Sequence, residues 1–380
     1  MKIHYFDFVA FGGVHTTFNS AMIEVLNKVF PQNEEIVFYS ERTHGMIVRE
    51  KCVSEIEIKS LSFLFSKIVR FSKVRDLLSI LFLLPTILFS SGEDILFVGL
   101  CFPFTIRFIS FFSKIFKKTV FVTLHGEMQY FLECDKRYIQ LQYKKYFTST
   151  RKCFARKNKY VRYVILGEPI WKNLSFLFNK ENNVIVINHP AIFSEMNNRE
   201  AKKDNGLLSI GMIGGGLERK GVENLFEIAG LLKDEIASGK LVLKICGLYS
   251  GDNKNKDLVS YSDHILSEKE LEDEIESLDY SFQLTTDKIC KAIASGTFID
   301  SLIFGKPVIG LHSSYMDFYC PNNYPVFSSE KEIAEKIKEF LNDEKRSFYE
   351  NDLNETFRIR NYFSVEYNAK LFSSQIRSAR

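Results

Sequence analysis

The sequence lacks any Cys-x-x-Cys pair. Its seven cysteines, at 52, 101, 134, 153, 246, 290 and 320, are scattered along the chain. This excludes a disulfide framework and a cysteine zinc site, and points to reduced thiols in a cytosolic protein. No apolar run is long enough for a membrane span: Leu77–Phe89 is about 13 residues and holds Pro85, against the roughly 20 a spanning helix needs. No Gly-x-Gly-x-x-Gly spacing occurs, so a dinucleotide fingerprint is not supported. Tryptophan occurs once against 36 phenylalanines, which leaves phenylalanine to fill the core and, in places, the surface. The net charge of +3 is too small to imply nucleic acid by itself. No signal-peptide pattern precedes the opening strand, and no internal repeat or low-complexity tract is found.

What is there reads as alternating strands and helices, over a length that suits two domains. Strands are expected at Lys2–Val9, Glu35–Ser40, Asp94–Leu100, Lys118–Leu124 and Tyr163–Gly167, and again at Leu207–Ile213, Leu241–Cys246 and Asp279–Leu284. A polar stretch from Ser194 to Gly206 reads as a linker. The division expected is an N-terminal domain over 1–195, a second over 196–360, and a terminal helix over 361–380.

Four stretches carry candidate chemistry. Ala294-Ser295-Gly296-Thr297 places hydroxyls and a glycine ahead of the apolar helix pattern Phe298, Ile299, Leu302 and Ile303. Ser295 or Thr297 can cap that helix, and its free amides attract a phosphate. The same spacing also suits an ordinary helix–turn–strand unit. Gly214-Gly215-Gly216 followed by Arg219-Lys220-Gly221 offers backbone amides plus point charges to a diphosphate. Gly12-Gly13, with His15 after it, follows the first strand, where α/β proteins place ligands or simply turn tightly. His125-Gly126-Glu127 ends another strand, and either side chain can deprotonate or orient a hydroxyl; a His satisfied by backbone and a surface Glu is the plainer alternative.

The segments Ser295–Ile309 and Gly214–Gly221 resemble the donor site of glycosyltransferases with the two-domain GT-B fold, of the bacterial surface-polysaccharide type. The resemblance implies two Rossmann-like α/β domains facing a cleft, with a C-terminal helix crossing back to the N-domain. It implies a nucleotide-diphosphate sugar bound by Gly214, Gly215, Arg219, Lys220, Tyr249, Thr285, Ser295, Gly296, Thr297 and Asp300. The acceptor, a glycan or lipid-linked glycan, would meet Gly12, Gly13 and His15, with His125 and Glu127 catalytic. The Glu-x7-Glu pair of the commonest retaining family is absent: Asp300 stands at the second position and Ala292 at the first. Gly215 likewise stands where that family has an arginine. No Asp-x-Asp has a strand-end context, so neither metal nor cofactor is expected.

Two stretches suggest a membrane face. Residues 59–90 are Phe- and Leu-rich, with Lys67, Arg70, Lys73 and Arg75 at near-helical spacing. Such a segment can lie in a membrane interface or form core helices. From Lys136 to Arg162 ten basic residues occur with no acidic one, interleaved with Tyr138, Tyr143, Tyr146 and Phe147. Anionic lipid head groups suit this pattern better than RNA, for which no module signature is present. The expected place is the cytoplasm, peripheral at the inner membrane face. A nucleotide-sugar 2-epimerase of the same fold and a non-catalytic scaffold with a degenerate donor site are the rival readings.

Overall fold

The computed structural model describes residues 1–66, 72–133, 136, 141–193, 207–343 and 347–378. Lys67, Arg70, Arg137, Tyr138 and the linker 194–206 lie outside the described residues, as does the side chain of Tyr143. The chain divides into two compact units. One comprises Met1–Ile192, Ala292–Ala294 and Phe363–Arg380; the other comprises Phe193–Lys291 and Ser295–Tyr362.

Among the described residues, the first unit is built on a seven-stranded sheet. Its strands are β1 (Lys2–Asp7), β2 (Glu35–Ser40), β3 (Glu57–Ser60), β4 (Ile95–Leu100), β5 (Val120–Leu124), β6 (Val161–Leu166) and β7 (Asn183–Ile187). All pair in parallel in the order β3-β2-β1-β4-β5-β6-β7. Helices cover both faces, so central strands such as β5, Val-Phe-Val-Thr-Leu, are apolar but for Thr123 and wholly buried. Tyr5 fills the space above Gly99 so closely that an added Cβ would lie 2.4 Å from its hydroxyl. That hydroxyl donates to Asn19 Oδ1 at 2.7 Å. The terminal helix Val365–Ser378 belongs to this unit. Phe372 packs at a tilt on Phe121, ring centroids 5.6 Å apart, and Gln375 bonds both the amide and the carbonyl of Val186 at 2.8 Å.

The second unit holds a six-stranded sheet among the described residues: β8 (Leu208–Ile213), β9 (Leu241–Leu248), β10 (Val259–Ser262), β11 (Tyr280–Gln283), β12 (Val308–Leu311) and β13 (Val326–Phe327). These too are parallel, in the order β10-β9-β8-β11-β12-β13. Both sheets are doubly wound Rossmann-like layers. In each, the strand order reverses beside the first strand: between β1 and β4, and between β8 and β11. Ligands of open α/β sheets bind outside the carboxyl ends of the strands at such points.

A buried acid in the second unit gives a test of its packing. Asp352 is 9% exposed and accepts from the Tyr280 hydroxyl at 3.1 Å. Burial raises its pKa from 3.8 to about 6. A raised carboxyl favours the folded state below its unfolded pKa, and that contribution is lost as pH rises through 6. Asp352→Asn keeps an acceptor for Tyr280 without the buried charge. It is expected to stabilise the protein by about 1–3 kcal/mol at pH 8 and to leave it unchanged near pH 4. Urea unfolding at the two pH values measures this.

The residue range 59–90 holds the end of β3, a short 3-10 turn and the helix Ser72–Phe89, which includes Pro85. One face of that helix is buried through Asp76, Ser79, Leu83 and Ile87. The other leaves Val74, Leu77, Leu81, Leu88 and Phe89 exposed. The basic window behaves differently from the expectation. Lys145, Lys152, Arg156, Lys157 and Lys159 are exposed, but Tyr146 donates to the buried Asp76, Phe147 packs on Phe131, and Arg162 lies on β6 over the ring of Phe121. The described aromatics of that window therefore serve the core. Among the described residues, no helix is long and apolar enough to cross a membrane.

Candidate functional site

In the first unit the turn after β1 is fixed from beneath. Asp7, fully buried, accepts from the amides of Val9 and Ala10 at 2.8 Å and from Asn19 Nδ2 at 2.6 Å. The His44 ring bonds Gly12 O through Nδ1 at 2.8 Å and Asn19 Nδ2 through Nε2 at 2.8 Å, which assigns the proton to Nδ1. Glu41 caps the helix Arg42–Lys51 through Thr43 N and His44 N, and also receives Gly12 N at 3.4 Å. Gly12 (φ 51°) and His15 (φ 59°) both take left-handed backbone, and the helix Thr16–Val29 starts directly behind them. Gly13 has open space where a Cβ would stand. Asp7, Asn19, Glu41 and His44 were not singled out in the sequence, because each is polar and none sits in a recognisable spacing.

His125 follows β5 and is 8% exposed. Its ring meets Phe18 edge-on at 4.3 Å, His15 at 5.5 Å and His189 at 6.2 Å. Nε2 of His125 and Nδ1 of His189 are buried with no hydrogen-bond partner among the described residues. Burial, helped by the neighbouring imidazoles, pushes His125 well below the usual histidine range, and burial pushes His189 down to about 4. Both rings are therefore neutral at physiological pH. Two residues on, Glu127 Oε1 accepts from the His125 amide at 3.0 Å. Desolvation lifts the Glu127 carboxyl to about 7, against the lowering effect of its backbone hydrogen bonds. A carboxyl poised there is matched to proton transfer near neutrality. His189 lies beyond the end of β7 in Asn188-His189-Pro190; the sequence shows it only as part of a chain segment leading onward.

In the second unit the loops after β8 and β11 meet at the strand-order reversal. Gly214 (φ 81°) and Gly221 (φ 80°) bracket the first loop. A Cβ on Gly221 would stand 2.4 Å from the Leu284 carbonyl oxygen, so this contact between the two loops requires glycine. The carbonyl of Ile213, at the end of β8, accepts from Lys220 Nζ at 3.0 Å and from Thr297 Oγ1 at 3.3 Å. Burial lowers the Lys220 pKa, and the nearby Asp300 carboxylate works in the opposite direction. Ser295 caps the helix Gly296–Ile303: its hydroxyl accepts from Phe298 N at 3.2 Å and donates to Gln283 Oε1 at 2.9 Å. Thr285 donates to the Arg219 carbonyl at 3.4 Å, while the Arg219 side chain is exposed. Gly215 stands against the Leu248 carbonyl, 3.2 Å from where its Cβ would lie.

The structure thus gathers Gly214, Gly215, Lys220, Thr297 and Asp300 about one strand end, with Thr285, Arg219, Ser295 and Gly296 on the flanking loops. Tyr249 departs from expectation. It is 6% exposed and packs on Phe226 at 5.0 Å and Tyr261 at 5.4 Å, as a core residue does. Gln283 is the addition, a buried side chain holding Ser295 in place. No group of three or more His, Cys, Asp or Glu side chains among the described residues is arranged to hold a metal ion.

Gly296 supplies a prediction. Its backbone is not left-handed and nothing lies within 4 Å of an added Cβ. Gly296→Val is therefore expected to leave stability nearly unchanged, yet to block close approach of a phosphate to the helix amides. Nucleotide affinity should fall by about tenfold or more, roughly the 1.4 kcal/mol of one lost charge-assisted hydrogen bond. Calorimetric titration with a nucleoside diphosphate reads the effect.

No family model and no curated protein matches the sequence. Solved structures do match over the whole length. HepE of Anabaena, in complex with UDP-glucose, aligns over 100% of both chains with a TM-score of 0.63 at 11% identity. The sucrose-phosphate synthase of Thermosynechococcus elongatus aligns over 100% of this chain and 98% of its own, with a TM-score of 0.61 at 12% identity. WaaB, a lipopolysaccharide outer core galactosyltransferase, aligns over 100% of both chains with a TM-score of 0.61 at 13% identity. The chain has the GT-B fold.

Proposed function

We propose that this protein is a glycosyltransferase that moves a sugar from a nucleotide-diphosphate sugar to a glycan or lipid-linked acceptor. The observation that carries the proposal is the convergence of Gly214, Gly215, Lys220, Thr297 and Asp300 at the reversal point of the second sheet. Glycine backbone, a lysine ammonium and the first turn of a helix suit a diphosphate, and Asp300 suits a ribose hydroxyl. The UDP-glucose complex of HepE, a neighbour in fold, supports a nucleotide sugar as the ligand class.

The first unit would present the acceptor, at Gly12, Gly13, His15, His125 and Glu127. In the transfer, the acceptor oxygen bonds to the anomeric carbon as the bond from that carbon to the diphosphate oxygen breaks. The nucleoside diphosphate leaves with the bonding electrons, and the acceptor proton passes to the Glu127 carboxylate. Lys220 and the amides of the glycine loop stabilise the charge that develops on the leaving group. This route needs no metal. A membrane-peripheral place at the cytoplasmic face is part of the reading, supported by the exposed apolar stripe on Ser72–Phe89 and by the cations exposed over residues 145–159.

A panel of nucleotide sugars tests the assignment. A thermal shift with one donor, and release of its nucleoside diphosphate in the presence of acceptor glycan, is the expected result. Conversion of the sugar without transfer would establish an epimerase. Neither shift nor conversion across the panel would establish a scaffold.

A further inference from the structure

A second feature of the first unit lies away from the strand ends that carry the candidate site. The helices Pro103–Phe116 and Leu141–Phe154 pack side by side, tied by Thr150 Oγ1 to the Pro103 carbonyl at 3.1 Å and by Arg107 to Ser149 Oγ at 3.2 Å. Asn158 closes the far end through the Ser110 carbonyl at 2.8 Å. Between them runs an open groove of about 740 Å³. Its apolar lining is Phe104, Phe108, Phe111, Phe112 and Ile115. Phe108 and Phe112 pack at 4.3 Å, and Phe111 meets Phe112 at 4.9 Å. Phe111 is 60% exposed and Ile115 52%, a large apolar surface for a soluble face.

The rim is of one sign. Arg107, Lys114, Lys152, Arg156 and Lys157 line the groove, and of these Lys157 pairs with Glu181. Among the described residues the other four have no carboxylate partner. An aromatic floor inside a cationic rim is complementary to a ligand with a hydrocarbon part and an anionic head. A second copy of the chain would bring two basic rims together, which like-charge repulsion opposes. The exposed stripe of Leu77, Leu81, Leu88 and Phe89 stands on the helix packed beside Pro103–Phe116, so the first unit carries further exposed apolar surface.

We propose that this groove seats an acidic phospholipid of a membrane surface, with acyl carbon against Phe108, Phe111 and Ile115 and the phosphate held by Arg107, Lys152 and Arg156. The inference rests on the membrane-peripheral part of the reading above and is independent of the transfer chemistry.

Flotation of the full chain with phosphatidylglycerol vesicles, against phosphatidylcholine vesicles, tests it. Two double variants are compared with the unaltered protein: Phe111→Ser with Ile115→Ser, and Lys152→Glu with Arg156→Glu. All four side chains stand at the surface or groove wall, and a thermal shift with a nucleoside diphosphate confirms that each variant is folded. The unaltered protein is expected to float with phosphatidylglycerol only. The charge-reversed variant should bind at least about 30-fold more weakly, from roughly fivefold for each basic residue removed. The apolar variant should keep weak binding that vanishes between low and physiological salt. Binding by both variants equal to the unaltered protein overturns the groove assignment and leaves the membrane reading standing. No flotation of the unaltered protein overturns both and leaves the donor site untouched. Self-association that the apolar variant loses, without vesicle binding, identifies the face as an interface between copies and also overturns the proposal.

Discussion

Glu127→Gln is expected to lower turnover by roughly 10²–10⁴, the range that a positioned general base supplies. The amide keeps an oxygen for the His125 amide hydrogen bond, now 3.0 Å, but cannot take a proton. The pH profile makes the prediction specific. With the Glu127 carboxyl lifted to about 7, the rate of the unaltered enzyme should rise with pH through that value, because the carboxylate is the active form. Neither buried imidazole adds a limb there, since His189 titrates near 4 and His125 is held well below its usual range. The variant should lose the limb and keep a flat residual rate. Stability separates this from damage to the fold. A carboxyl raised in the folded state contributes stability at low pH that is lost as pH rises through 7, so the variant should melt at the same or a higher temperature at pH 8. Donor affinity, carried by the second unit, should be unchanged. A product with retained anomeric configuration by NMR and near-normal variant activity would remove Glu127 as the base. His125→Ala would then be the more damaging change, through a lost contact to sugar or phosphate.

The parts of the fold that show in the sequence are those where burial leaves little choice of residue. β4, β5 and β8 are covered on both faces, so they appear as largely apolar runs, interrupted only by Gly99, Thr123, Ser209 and Gly211. Three of the four sheet edges do not show. β3 is Glu-Ile-Lys-Ser, β10 is Val-Ser-Tyr-Ser, and β13 has two residues, because an edge strand needs neither two apolar faces nor length. The terminal helix is expected over 361–380, but two helices meet at Ser364, where Ala191 bridges to the chain. Local pattern cannot show that break, since both sides keep helical spacing.

The candidate site divides in the same way. Glycines and the Lys220 turn are legible because their conformations restrict the residue type: Gly214 and Gly221 carry positive φ. Tyr249 was misjudged because an aromatic at a strand end reads equally as a stacking platform or as core, and its packing on Phe226 decides for core. Tyr146 was misjudged for a related reason. Basic neighbours suggest a wet surface, while its hydroxyl in fact turns inward to Asp76, which caps the helix Pro103–Phe116 through Phe104 N and Thr105 N at 2.7 Å. His189 was missed because its meaning is tertiary: it comes beside His125 only when β5 and β7 enter one sheet.

Lys220→Met should reduce kcat/KM by about 10²–10³, comparable with removing one preorganised donor from a developing anion. The methionine keeps most of the apolar stem but neither charge nor donor. In the folded chain the ammonium is partly buried, bonded to the Ile213 carbonyl at 3.0 Å and close to Asp300. One backbone acceptor does not satisfy three ammonium hydrogens, so the group remains able to bond a phosphate oxygen. Burial lowers its pKa and would favour the neutral amine, while a bound diphosphate would restore the charge by its own field. Nucleotide affinity should fall in the variant by about tenfold or more, the loss of one charge-assisted hydrogen bond. Calorimetric titration with a nucleoside diphosphate reads that loss directly. Nζ sits 2.6 Å from where a Cβ on Gly214 would stand, so glycine at 214 is what leaves the ammonium its room. A purely structural lysine predicts another pattern: a lower melting temperature, unchanged nucleotide affinity and turnover that recovers when the protein is cooled. That pattern would move the diphosphate contact to Arg219 and the glycine amides.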